Sequence, residues 1–321
     1  MARVSESGAA VRGQGERREQ RFTELISHKT HIDFVRASPY AIVVSVILLL
    51  GTAGLWVAHG GPHYGIDFAG GTMLHLRFAK DTRAADVRAL LEKAGEGSAE
   101  LQDLGGEGGE FLIRLAGGGD RDEELGERVI AALREAAGAQ SFEVLRTEMV
   151  GPKVGKDLRR KAILAVIAST IMMGIYLTIR FELRYGIGAA VALAHDVGIT
   201  VGALLLFGYE FDLSIVAALL TIVGFSVNDT VVICDRIREN YRKMRREAFA
   251  TVANLSINET LSRTIITTGT ALLVIIALYA LGGSVIHGLA FSLLVGFIAG
   301  VYSTVFIVTP VVLLFEGRQR R

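Results

Sequence analysis

Residues 213–234 read LSIVAALLTIVGFSVNDTVVIC, twenty-two residues with a single formal charge, Asp229. As a helix rising 1.5 Å per residue, the segment is about 33 Å long, enough to cross a hydrocarbon core of about 30 Å. The basic run CDRIRENYRKMRR at 234–246 follows at once, so the apolar stretch ends where water begins. Five further segments have the same character: 39–58, 162–180, 187–207, 264–281 and 286–314. One such run could be a buried core helix. Six in one chain cannot all be, because a mean hydropathy of +0.42 beside 21% charged residues requires charge to be segregated from long apolar runs. The fold class is therefore a polytopic α-helical membrane protein with six transmembrane helices.

Lys and Arg in the short connections set the expected orientation. With the N-terminus in the cytoplasm, the segments 1–38, 180–186, 235–262 and 315–321 carry eighteen of them, and the opposite turns 208–212 and 282–285 carry none. The expected layout has a cytoplasmic segment 1–38, a first span 39–58 and an extracytoplasmic domain 59–161. A five-helix region 162–314 follows, containing the basic cytoplasmic loop 235–262, and the tail 315–321 is again cytoplasmic. The polar start predicts an uncleaved N-terminus rather than a signal peptide. Cys234 is the one cysteine, which excludes an intramolecular disulfide, and a net charge of +1 gives no reason to expect a nucleic-acid partner.

The segment 59–161 is long enough for a small domain. Strand character at 72–78, 99–104, 110–115 and 141–150 alternates with helical spacing at 82–94 and 120–137. The order β-α-β-β-α-β predicts a small α+β ferredoxin-like layer between the first two membrane helices. Such a fold has no function of its own. The segment carries no metal-ligand cluster, phosphate loop or catalytic triad spacing, and His63 and His75 are isolated, so surface or packing roles are expected of them. The stretch YGIDFAGGT at 64–72 sets Gly65, Gly70 and Gly71 around Asp67. It predicts a tight structural elbow where the membrane helix enters the first strand.

Ionisable groups inside membrane helices are expensive and usually functional. Asp196 beside His195, Asp229 beside Asn228, and Arg263 at the start of the fifth span are the three that stand out. By helical rise Asp196 lies about 14 Å and Asp229 about 9 Å from the basic side, so all three can share a level. Small or polar residues recur on the faces beside them: Gly188, Ala192 and Asp196; Thr221, Gly224 and Asn228; Arg263, Thr267 and Thr270. Gly288, Ser292, Gly296 and Gly300 make a seam on the sixth span where helix backbones can approach closely. Two readings of the charges stay open: a static Asp–Arg pair that holds the bundle, or a relay in which Asp229 exchanges protons and Arg263 answers its change of charge. The basic run after the fourth span predicts an amphipathic helix on the membrane surface.

Together these residues resemble the SecF family. The likeness is carried by YGIDFAGGT at 64–72, VGPKVG at 150–155, AHD at 194–196, GFSVNDTVVICDRIREN at 224–240 and Arg263-Thr264, and it runs from about residue 25 to the C-terminus. It implies a subunit of the bacterial inner membrane that pairs with a homologous six-span SecD-like subunit, in an assembly similar to the resistance-nodulation-division transporters. It further implies association with the SecYEG channel and use of the proton motive force to draw preproteins across. Protons would be the coupling ion, with no other cofactor. Proton coupling carries over to Asp229 and Arg263, and Asp196 belongs to a family motif. Cys234 stands where an aromatic is more usual. The alternative from another class is a proton-coupled exporter of small molecules or lipids, but such exporters usually carry two large extracytoplasmic domains and twelve spans in one chain. A scaffold subunit would tolerate neutral membrane carboxylates. An enzyme is disfavoured, because no nucleophile–base pair, metal site or nucleotide loop is visible.

Overall fold

The computed structural model describes residues 31–79, 81–105, 109–115, 122–137 and 142–319. Residues 1–30, with the basic cluster expected on the cytoplasmic side, and 106–108 of the glycine-rich turn lie outside the described residues. Among the described residues six helices are long and apolar enough to cross a membrane.

The first membrane helix, α1 (Phe34–Ala58), starts earlier than its apolar run. Asp33 caps it by accepting the Arg36 N–H at 3.0 Å, so Pro39 lies inside the helix rather than at its start. The entry is also held from afar: Asn258 Oδ1 accepts the Ile32 N–H and Asn254 Oδ1 the Phe34 N–H. A short helix α2 (Ile66–Ala69) then leads into the domain: β1 (Gly71–Phe78), α3 (Ala84–Lys93), β2 (Glu100–Gly105), β3 (Glu110–Leu115), α4 (Asp122–Ala137) and β4 (Phe142–Val150). The sheet is antiparallel with order β2-β3-β1-β4, the ferredoxin-like arrangement. Along β1 the period of two turns Leu74 and Leu76 inward, each fully buried against Phe111, Ile113, Val87, Leu91, Val129 and Leu133. On the other face Arg77 donates to Glu110 and Glu143, and His75 also meets Glu110. The Arg77 hydrogen bond, with help from His75, holds the Glu110 carboxyl below its usual range although partial burial opposes it.

Five long helical elements follow: α5 (Pro152–Arg180), α6 (Leu183–Leu206), α7 (Leu213–Lys243), α8 (Phe249–Leu281) and α9 (Ser284–Ser303), which continues through a π-helical turn (Thr304–Val308) into α10 (Thr309–Gln319). Pro310 explains the turn: it lacks an N–H, and a widened turn lets the helix pass the missing bond. The central packing is of α6, α7 and α9, whereas α1, α5 and α8 leave most of their apolar residues outward. Exposed Val43, Ile47, Leu50, Ile171, Leu273 and Val274 belong to that outward surface.

The helices also extend past the apolar limits. The segment 152–161, read as a linker, is the first part of α5. Residues 235–243 continue α7, and 249–262 begin α8, leaving only 244–248 outside a helix. In place of a separate surface helix, the chain forms a helical hairpin. Asn240 donates to Ser256 at 3.0 Å and to Glu259 at 2.6 Å, and Arg236 bonds Glu259 at 2.6 Å. Tyr241 packs edge-on against Phe249, and Cys234 is fully buried beneath them.

Candidate functional site

Two polar centres lie within the bundle. The first surrounds Asp196 on α6, whose exposure is zero. Its Oδ2 accepts the Ser226 hydroxyl of α7 at 2.7 Å and the Ser303 hydroxyl of α9 at 2.9 Å, while Oδ1 meets His195 Nδ1 at 3.0 Å. The other ring nitrogen, Nε2, meets Ser45 of α1 at 3.1 Å. Ser45 donates to the Tyr302 hydroxyl at 3.2 Å, and Tyr302 donates to the Ala41 carbonyl at 2.6 Å. The His195 and Tyr302 rings lie nearly parallel, 5.8 Å apart. One carboxylate thus ties α1, α6, α7 and α9 together, next to the π-helical turn that Ser303 precedes. Inside hydrocarbon an unpaired polar group costs far more than a paired one, which is why these residues converge.

The second centre surrounds Asp229 on α7. It is 4% exposed, and Oδ2 has one weak side-chain partner, the Thr268 hydroxyl of α8 at 3.5 Å. Among the described residues Arg263 forms no ion pair with it. Arg263 is exposed on α8. Asn228, Thr221 and Gly224 of α7 are exposed too, as are Thr267 and Thr270 of α8. Thr267 and Thr270 turn their hydroxyls back onto their own helix, to Arg263 O and Thr267 O, each at 2.9 Å. The polar faces of α7 and α8 therefore open outward. Nothing within 4 Å would meet a side chain at Gly224.

The small-residue seam of α9 packs inside the chain. A methyl at Gly296 would lie 2.2 Å from Ile222 Cδ1, one at Gly300 3.2 Å from Ser226 Cβ, and one at Gly288 3.6 Å from Ile215 Cδ1. Ser292, fully buried, bonds the Gly288 carbonyl at 2.7 Å. On α6, Gly188 and Ala192 share the buried face with Asp196, and Gly188 lies against Val308 and Val312.

The elbow is a junction of three elements. Gly70 holds φ +81°, and a side chain there would run into the Pro152 backbone at 2.7 Å. Gly155 on α5 is equally confined, with Phe68 and Gly70 backbone 3.1 Å from where its Cβ would be. Asp67 Oδ2 accepts the Leu213 N–H at the first turn of α7 at 2.9 Å. Among the described residues no group of three or more His, Cys, Asp or Glu could hold a metal. Ser45, Ser226, Tyr302, Ser303 and Thr268 carry no role in the sequence reading, since neutral hydroxyls within apolar runs give no local signal of what they bond.

Comparison with known proteins places this arrangement. Residues 129–318 match the family described as protein export membrane protein SecD/SecF, C-terminal, and residues 55–82 match the SecD/SecF GG motif. The protein translocase subunit SecF of Vibrio alginolyticus is 42% identical, over 91% of this chain and 92% of its own. That of Escherichia coli O157:H7 is 38% identical, over 90% of each. The crystal structure of SecDF from Thermus thermophilus, titled a translocon-associated membrane protein, superposes with a TM-score of 0.79 at 36% identity over 92% of this chain. A SecDF crystal structure in a super-membrane-facing form superposes at 0.66 and 37% identity over 91%. The chain spans about two fifths of the length of those two structures, at 40% and 39%. It is a multi-pass membrane protein that belongs to the SecD/SecF family of protein-export proteins.

Proposed function

We propose that this chain is a non-enzymatic subunit of the bacterial Sec translocation machinery which, paired with a SecD-like subunit, uses the proton motive force to promote preprotein export through SecYEG. The observation that carries the reading is the outward polar face of α7 and α8. Lipid tails offer nothing to an arginine and an asparagine, so a second polar surface must cover Asn228, Arg263 and the half-satisfied Asp229. A SecD-like helix bundle with its own intramembrane polar groups supplies such a surface. The names of the relatives and the fused SecDF chains support the pairing. Asp229 is the proton-exchanging group: it is shielded from lipid, next to the uncovered face, and lacks the saturated hydrogen bonding that fixes Asp196. Arg263 answers its change of charge, and Asn228 lies beside it on the same face. Asp196 holds the four helices together.

Orientation follows from Lys and Arg asymmetry, with both termini and the α7–α8 hairpin in the cytoplasm, the α+β domain outside, and the chain in the inner membrane. The test is export in membrane vesicles with and without a proton gradient. Asp229→Asn is expected to assemble with its partner yet to lose the gradient-driven part. Full retention of the gradient response would refute the relay.

A further inference from the structure

The elbow at 64–71 joins the domain to the helix that carries Asp229. Three contacts make the joint. Asp67 accepts the N–H of Leu213, the first residue of α7, at 2.9 Å. A short backbone pairing runs alongside, with the Gly65 N–H on Phe211 O at 2.8 Å and the Phe211 N–H on His63 O at 2.7 Å. Arg114 of β3 forms an ion pair with Glu210 in the same turn. On its other side the elbow lies against the first turn of α5, with glycines at 70 and 155 because no side chain fits between the two backbones.

Asp229 lies sixteen residues beyond Leu213 on one unbroken helix, so the joint and the carboxylate are about 24 Å apart on a single rod. A helix of this length transmits a shift of its axis to whatever is fixed at its end. The α6–α7 turn has its own cap in Asp212, which accepts the Ile215 N–H at 2.8 Å. Asp67 is therefore not needed to start α7. It is placed to bind α7 to a different part of the chain.

We infer that Asp67 is the coupling residue of the machine: it fixes the domain to the start of α7, so that a displacement of α7 at Asp229 moves the domain as one body. The inference rests on the proton-driven reading above. It is tested in vesicles holding the full complex, with Asp67→Ala, Asp229→Asn and the native chain at matched protein levels. Gradient-stimulated export by Asp67→Ala should fall to the level of Asp229→Asn, and Asp67→Asn, which keeps an acceptor oxygen, should retain most of it.

A covalent joint provides the second arm. A Cβ at Gly65 would lie 3.5 Å from Asp212 Cβ, within the range a disulfide spans. In a Cys234→Ala background, Asp212→Cys alone, which loses the Ile215 cap but keeps Asp67, should retain the gradient response; oxidising Gly65→Cys with Asp212→Cys should leave export intact and restore the response to Asp67→Ala, while the reduced pair should not. A native-like gradient response in Asp67→Ala, with Asp229→Asn inactive, overturns the coupling and leaves proton-driven export standing. Export blocked by the oxidised pair alone overturns it as well, because the elbow must then separate from α7. If Asp229→Asn itself responds fully, the proton-driven reading falls and the coupling falls with it. Should Asp67→Ala fail to accumulate, the oxidised and reduced pair in the otherwise native chain decides.

Discussion

Gly296→Ala adds one methyl at the tightest point of the α9 seam. Its carbon would sit 2.2 Å from Ile222 Cδ1, 2.4 Å from Cγ1 and 3.0 Å from Cγ2. Carbon atoms in contact prefer roughly 3.5–4.0 Å, so Ile222 Cδ1 and Cγ1 must give way by roughly 1 Å or more. Ile222 is 1% exposed, so it cannot turn out of the bundle without repacking its neighbours. Either α9 backs away from α7 or Ile222 leaves its rotamer, and overpacking of this kind costs about 1–3 kcal/mol. Ile222→Ala alone should cost about 2 kcal/mol, the low end for such truncations, since in lipid the loss is of packing rather than of hydrophobic transfer. In the double variant the new methyl enters the vacated space, so the two losses should not add. A coupling of about 1–2 kcal/mol in the favourable direction is expected. Unfolding midpoints in mixed detergent micelles, followed by far-ultraviolet circular dichroism, give all four corners of the cycle. Strict additivity would refute the proposed contact, and an unchanged midpoint for Gly296→Ala would refute the packing of α9 on α7.

Asp196→Ala leaves the Ser226 and Ser303 hydroxyls and the His195 ring without their shared acceptor, and should destabilise the bundle by about 3 kcal/mol, at about 1 kcal/mol or more per buried group. Asp196→Asn keeps the shape and most of the bonding, so its export should still respond to a proton gradient; loss of that response would move the relay to Asp196. In the domain, the Glu110 carboxyl is held low by Arg77 and His75, so its contribution is complete above the ordinary glutamate range and disappears as pH falls through the lowered value. The protection of β1 and β3 amides in the full chain, taken relative to intrinsic exchange at each pH, should therefore be steady down to that range and decline below it. Glu110→Gln should flatten the dependence.

The spans and the order of the domain were legible because each rests on a local pattern. Apolar runs of bilayer length mark α1 and α5 to α9, and the alternation of Leu74, Leu76 and Phe78 marks a strand with one buried face. Helix ends were not legible where a distant partner decides them. Residues 235–243 read as a separate surface helix in a basic loop, yet they continue α7, where Asn240 and Arg236 find Ser256 and Glu259 on the returning helix. The start at Phe34 depends on Asn254 and Asn258, more than two hundred residues away. The carboxylates were visible as charges in apolar runs, but their partners were not. Ser226, Ser303, Tyr302 and Thr268 are ordinary residues until the topology brings them to Asp196 or Asp229. Asp67 was visible as a carboxylate among glycines, and its bond to Leu213 was not, since that bond depends on where the α6–α7 turn comes to rest.

The central claim is that Asp229 must change protonation during export, and shape must be separated from titration to test it. The decisive measurement is the rate of preprotein export in vesicles as a function of the imposed gradient, for Asp229→Glu against Asp229→Asn, with equal amounts of assembled complex. Glutamate retains a titratable carboxyl with one more methylene, and asparagine retains the shape without the proton. A reduced but clearly rising curve is expected for Asp229→Glu and a flat one for Asp229→Asn. Two curves that rise alike would contradict the claim.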